Sequence, residues 1–201
     1  MTAGIGLILL AAGGSSRLGH PKQLLPYRGR TLLRHAAETA LASVCRPIVA
    51  VLGAQADHLR PEMAGLEVLI VENPGWEEGM GSSIRIGLAA LEMSAPDVSG
   101  VLLMLCDQPL LSPKALDALV RSHLDTGSPL VASEYGGTRG VPAFFSRALF
   151  PELRTLKDAQ GARAVIAAHA SEMVALPLPA GVWDVDTAAD YARLRSQGEQ
   201  P

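Results

Sequence analysis

The chain has 201 residues, 48% of them hydrophobic and 4% aromatic, with a formal net charge of −3. That length buries a substantial core in one α/β unit, and the nearly balanced charge provides no electrostatic footprint for nucleic acid or an anionic membrane. The two cysteines, Cys45 and Cys106, are too few for a disulfide framework, and residues 5–12 are too short to span a bilayer and have no basic residue ahead of them, so a cytoplasmic location is expected.

The apolar run 5–10 reads as a buried strand. Directly behind it comes Leu10-Ala11-Ala12-Gly13-Gly14-Ser15-Ser16-Arg17-Leu18-Gly19-His20-Pro21-Lys22. Small and glycine-rich residues let main chain approach a bulky anion and aim successive N–H groups at it. Arg17 and Lys22 add two positive charges, and the whole reads as a cradle for a polyphosphate. Two better-known loops do not fit. The P-loop needs Ser or Thr after its lysine, whereas Gln23 follows Lys22. The dinucleotide fingerprint needs three spaced glycines and an acidic residue at the end of a second strand, and here that strand runs into Gly53-Ala54-Gln55.

Residues 31–44 carry a helical pattern, with Thr31 as N-cap and Leu33, Ala36, Ala37, Ala40, Leu41 and Val44 on one side. Strand-like runs recur at 48–52, 68–71 and 101–105. Ser82 and Ser83 open an amphipathic helix over 84–93, which one of them is expected to cap. Ser112 and Pro113 form a cap followed by proline at the first helical position. Runs 130–134 and 141–145, separated by glycine-rich 135–140, read as a hairpin or an added antiparallel edge. A helix, a strand over 174–178 and a last helix from Thr187 complete the chain. The alternation predicts an α/β fold, three-layered, with a mostly parallel (mixed-edge) sheet and helices on both faces, as one domain over 1–201.

Ligands of such sheets bind beyond the carboxyl ends of the strands. The glycine loop, residues 73–83 and Asp107 all follow strands and so belong to one end. Asp107 is expected at the exposed tip of a central strand, where a carboxylate can hold Mg²⁺ or simply start a turn. Asp184 and Asp186, two apart, point the same way on an extended segment, so either could complete such a site; alternatively Asp186 or Thr187 caps the last helix, where Thr187 and Asp190 fit a helix start. The five histidines show no metal-ligand spacing, and Cys106, with no basic neighbour in sequence, reads as a small buried hydrophobe. Trp76 reads either as a loop anchor or as a stacking surface for a substrate ring.

The first loop resembles the LAAGxSxRxGxxK signature of nucleotidyltransferases that transfer NMP from an NTP. The resemblance continues through Gln23-Leu24-Leu25-Pro26, Asn73-Pro74, Gly79-Met80-Gly81-Ser82-Ser83, Cys106-Asp107-Gln108-Pro109, Gly137-Thr138-Arg139-Gly140-Val141-Pro142, Gly161-Ala162-Arg163 and Asp184-Val185-Asp186-Thr187. Together these motifs look like those of the molybdenum cofactor cytidylyltransferases, over nearly the whole chain. The resemblance implies a Rossmann-like nucleotidyltransferase fold and transfer of CMP from CTP to the phosphate of molybdopterin, with release of pyrophosphate. It implies Arg17, Lys22 and Asp107 as catalytic groups, and Mg²⁺ on Asp107 and Asp186. The nucleotide would be bound by Leu10, Ala11, Ala12, Gly13, Gly14, Ser15, Arg17, Lys22, Gly79, Ser82 and Ser83. Residues 137–142 and 157–163 would hold the pterin side, and a molybdenum hydroxylase or its maturation factor would be a partner. Guanylyl-transferring relatives carry a glycine pair where this chain has Ala11-Ala12, which favours CTP over GTP. The alternatives are guanylyl transfer, a sugar or methylerythritol phosphate as acceptor, or a non-catalytic cofactor carrier.

Overall fold

The computed structural model describes residues 4–15 and 18–198. In chain order the strands are β1 (Ile5–Ala11), β2 (Pro26–Tyr27), β3 (Arg30–Thr31), β4 (Ile48–Leu52), β5 (Leu69–Glu72), β6 (Gly100–Leu105), β7 (Leu130–Tyr135), β8 (Thr138–Ser146) and β9 (Val174–Pro177). The α-helices are α1 (Leu32–Leu41), α2 (Ala56–Leu59), α3 (Met80–Ser94), α4 (Pro113–Thr126), α5 (Phe150–Arg154), α6 (Arg163–Ala168) and α7 (Ala188–Gly198).

Seven strands form one sheet in the order β5-β4-β1-β6-β8-β7-β9, and β2 pairs with β3 in a separate ribbon. All neighbouring strands of the large sheet run parallel except at β8, which is antiparallel to both β6 and β7. The hairpin foreseen at 130–145 is there, but it lies inside the sheet and β9 forms the edge. A hairpin needs only a two-residue turn, whereas a parallel return needs a crossover; Gly136 and Gly137, both at positive φ, make that turn.

The three layers follow from alternation along the strands. Leu7, Leu9 and Ala11 of β1 face Leu33, Ala36, Ala37 and Ala40 of α1 and Leu116, Leu119 and Val120 of α4. Ile8 and Leu10 face Ile84, Leu88 and Leu91 of α3. A parallel sheet covered on both sides needs such apolar residues on both faces, which is why these strands read as continuous hydrophobic runs.

The helix starts are set by side chains. Thr31 Oγ1 accepts from the Arg34 amide at 3.2 Å, and Ser112 Oγ from the Ala115 amide at 3.3 Å, with Pro113 at the first position. At the last helix the exchange is reciprocal: the Asp190 amide donates to Thr187 Oγ1 and the Thr187 amide to Asp190 Oδ2. Helix α1 stops at Leu41, so Val44 leaves the apolar face expected of it and is 63% exposed.

Helix α3 sits so close to the sheet that Gly87 has no room for a side chain. A Cβ there would meet Ile8 Cγ2 at 2.7 Å and Val51 Cγ2 at 2.8 Å. Alanine in a helix interior normally stabilises by about 1 kcal/mol over glycine, but overpacking a dense core costs about 1–3 kcal/mol. Gly87→Ala is therefore expected to lower the denaturation midpoint without changing the slope; a raised midpoint would show that α3 has slack.

Candidate active site

The carboxyl ends of β1, β4 and β6 meet at one end of the sheet, and the glycine loop leaves from the first of them. Its shape is held by Gln23, a side chain that is 1% exposed. Gln23 Nε2 donates to the carbonyls of Ala11 at 3.0 Å and Gly13 at 2.7 Å. Ser15 Oγ donates to Gln23 Oε1 at 3.3 Å and accepts from the Lys22 amide at 3.0 Å. The loop is thus tied back on itself and ends by placing Lys22. Nothing in the local sequence marks Gln23 for this role, because its burial among loop carbonyls has no local signature.

Lys22 Nζ donates to Asp107 Oδ2 at 2.6 Å and to Asp186 Oδ1 at 2.7 Å. The Lys22 and Asp107 side chains are each 14% exposed, Asp186 42%. Asp107 is therefore enclosed and does not stand at an exposed tip. Burial alone would push the Lys22 ammonium down, but the charge of Asp107 and the hydrogen bonds the ammonium donates to both carboxylates hold it above the ordinary lysine range. For Asp107 burial dominates and pushes the carboxyl up against the pull of Lys22, with Asp186 and Asp184 adding repulsion. Burial raises the Cys106 thiol to about 12, which keeps it a neutral hydrophobe, as expected. Asp186 reaches this cluster because the Val185 amide donates to the Asp107 carbonyl at 3.0 Å, pinning residues 183–187 beside the tip of β6. Leu25, Tyr27, Val185 and Leu194 bury that segment against the β2–β3 ribbon and α7.

Asp184 does not point with Asp186. Residues 183–187 form no strand, so the two-residue period fails; Asp184 lines a different cavity. Arg17 lies outside the described residues. Among these, Asp107 Oδ1 is buried without a hydrogen-bond partner. An open carboxylate oxygen in Asp107, with Asp186 across the lysine, is the hard oxygen donor set that suits Mg²⁺ or a similar cation.

The opposite wall is the start of α3. The helix begins at Met80, with Gly79 as a cap lacking a side-chain bond, so neither Ser82 nor Ser83 caps it. Both are buried in the first turn. Asn73 Nδ2 donates to Ser82 Oγ at 2.8 Å and Ser83 Oγ at 2.9 Å, and its Oδ1 accepts from the Gly75 amide. Ser82 Oγ donates to the Gly79 carbonyl at 2.7 Å. Gly79, at φ 130°, and Gly81 let the helix start press on the 157–160 segment, where a Cβ would come within 2.4 Å of Asp158 O and 2.2 Å of Lys157 O respectively. These two glycines serve packing.

Leu10, Ala11, Ala12, Gly13, Gly14, Lys22, Gly79, Ser83 and Asp107 line one cavity of about 320 Å³. Ser15 and Ser82 brace it from behind. A second cavity of about 530 Å³ shares Met80 and Leu105 with the first and continues past Gln108, Tyr135, Thr138, Arg163 and Asp184. Gln108, 3% exposed, braces its floor: Nε2 donates to the carbonyls of Val141 and Gly181. The arrangement is two adjoining chambers with a lysine and two carboxylates beside the first.

A family model described as the MobA-like NTP transferase domain matches residues 7–173. The chain belongs to that family. A molybdenum cofactor guanylyltransferase of Rhizobium meliloti is 32% identical over 177 residues, which is 85% of this chain and 78% of that protein.

 The Rv0371c protein of Mycobacterium tuberculosis H37Rv is 33% identical, with a TM-score of 0.83 and coverage of 98% of this chain and 100% of that one. A second structure of Rv0371c is a complex with manganese. Nicotine blue oxidoreductase of Paenarthrobacter nicotinovorans is 48% identical over 118 residues, a stretch that is 58% of this chain and 55% of that protein's own length. Among the described residues of this family member, no helix is long and apolar enough to cross a membrane.

Proposed function

We propose that the chain transfers CMP from CTP to the phosphate of molybdopterin, giving the cytosine dinucleotide form of the cofactor and pyrophosphate. The observation that carries this reading is the placement of Lys22 between Asp107 and Asp186, beside a chamber closed by the glycine loop and joined to a larger chamber. The smaller chamber takes the nucleotide, and the larger takes the acceptor. The R. meliloti relative, named a molybdenum cofactor guanylyltransferase, supports the choice of acceptor.

In this reaction an acceptor phosphate oxygen attacks the α-phosphorus of CTP, and the bond to the β-phosphate breaks as pyrophosphate leaves. No protein nucleophile is required; catalysis is alignment of two anions and stabilisation of developing charge. Lys22, with Arg17, neutralises the triphosphate, and the loop amides orient it. Asp107 and Asp186 would hold Mg²⁺, which supplies further charge neutralisation at the phosphate oxygens. The manganese complex of Rv0371c supports a divalent cation in this role. The protein would act in the cytoplasm and deliver its product to a molybdenum hydroxylase or that enzyme's maturation factor.

The test is release of pyrophosphate from each NTP with Mg²⁺ and molybdopterin. Ala11 and Ala12 narrow the base site, so CTP is expected to exceed GTP in kcat/KM by roughly 30-fold or more, equivalent to about 2 kcal/mol. Exchange of both alanines for glycine should narrow the gap. Equal use of GTP would overturn the cytidylyl assignment.

The 48% identity to nicotine blue oxidoreductase favours a second reading, in which the same chambers serve a redox reaction. Oxidation of a reduced nicotinamide cofactor without pyrophosphate release would support it. The departure of the glycine loop from the dinucleotide fingerprint favours the transferase.

A further inference from the structure

Trp76 opens the short turn Trp76–Glu78 that leads into α3. Its position is defined by two missing side chains. A Cβ on Gly53, just past β4, would come within 2.6 Å of Trp76 Cβ, and a Cβ on Gly14 within 2.8 Å of Cη2 and Cζ3. The indole therefore spans from the end of β4 to the glycine loop. Gly14 is not among the residues at positive φ, so what it provides is room for the ring. Gly13, by contrast, has nothing within 4 Å of such a Cβ.

The ring packs against the cluster of Ile8, Leu10, Val49 and Val51, and it also lines the smaller chamber with Ala11, Ala12 and Ser83. Among the described residues it is the one aromatic side chain lining that chamber. Aromatics are scarce in this chain, and all three phenylalanines are buried in the core. Every nucleobase presents a π face, and stacking on an aromatic side chain is tolerant of base identity. The size of the space beside the ring is not tolerant.

We propose that the Trp76 indole is the surface on which the donor nucleobase stacks, and that Gly14 is kept free of a side chain so that the indole can lie there. This rests on the nucleotide reading of the smaller chamber. It makes Trp76 a base-binding residue beside Ala11 and Ala12, which line the same chamber.

The test separates base from phosphate. In Trp183→Phe protein, Trp76 is the remaining tryptophan, and its emission is followed during titration with CTP or with inorganic tripolyphosphate. CTP is expected to change the emission and tripolyphosphate to leave it unchanged. Trp76→Leu should raise the Kd for CTP about tenfold or more while leaving that for tripolyphosphate within about twofold, and Trp76→Phe should recover much of the loss. A Leu variant that binds both ligands as wild type does, or loses both equally, would overturn the proposal. If wild-type protein binds GTP as tightly as CTP, the cytidylyl reading fails and GTP replaces CTP in the same titration. If wild-type protein binds neither nucleotide nor tripolyphosphate, the nucleotide reading fails and takes this inference with it.

Discussion

Asp107→Asn is expected to lower turnover by about 10³-fold or more while moving Tm by no more than about 5 °C. The two expectations have separate causes. The carboxylate is enclosed, one oxygen is open, and burial already pushes its pKa up, so its charge is costly to hold. Asparagine keeps the shape and an acceptor for Lys22, which retains Asp186 as a partner. What disappears is a negative oxygen for a cation on the substrate phosphates. Pyrophosphate release under saturating CTP measures the first effect, and a thermal melt the second. Near-normal turnover at ordinary Mg²⁺ would remove Asp107 from the metal site.

Lys22→Met should be the reverse in stability and equally severe in activity. Removing one member of a buried ion pair leaves the other uncompensated, at a cost of about 3–5 kcal/mol. Here Asp107 and Asp186 would face each other without the ammonium that joins them. Adding Asp107→Asn to Lys22→Met should restore much of the lost stability and none of the activity, because the repulsion is gone but both working groups are too. Divalent cations should raise Tm of Lys22→Met more than that of wild type. If Lys22→Met is as stable as wild type and binds CTP normally by calorimetry, the lysine is neither a brace nor a phosphate ligand.

The parts of this molecule that sequence revealed are those with a local physical code. The runs at 48–52 and 101–105 are apolar on both faces, and only a doubly covered strand tolerates that. Thr31, Ser112 and Thr187 were legible as caps because a cap is set by a hydroxyl three residues from an amide. The convergence of Asp107 with the glycine loop followed from the rule for strand ends. What was not legible depends on partners distant in sequence. Nothing near Gln23 announces that its amide will hold the Ala11 and Gly13 carbonyls, nor near Asn73 that it will bind Ser82 and Ser83. Ser82 and Ser83 look like caps because the residue type is right, yet the helix starts earlier, at Met80, where Gly79 and Gly81 permit contact with the 157–160 segment. The parting of Asp184 from Asp186 is likewise set by the burial of Val185 and its bond to Asp107.

The reversed strand β8 has a consequence for how relatives of this chain can diverge. The glycine loop, Lys22 and Asp107 depend on the β4-β1-β6 half of the sheet, whereas the larger chamber is walled by the β7–β8 turn and the segments around 160 and 181. A hairpin turn tolerates replacement and insertion far better than the strands it joins. Mutation can therefore remodel one chamber while the chemistry next door is preserved. With the chambers assigned as proposed, such a division of labour would let one ancestral scaffold acquire new acceptors by drift at a single turn, without passing through forms that have lost their hold on the nucleotide.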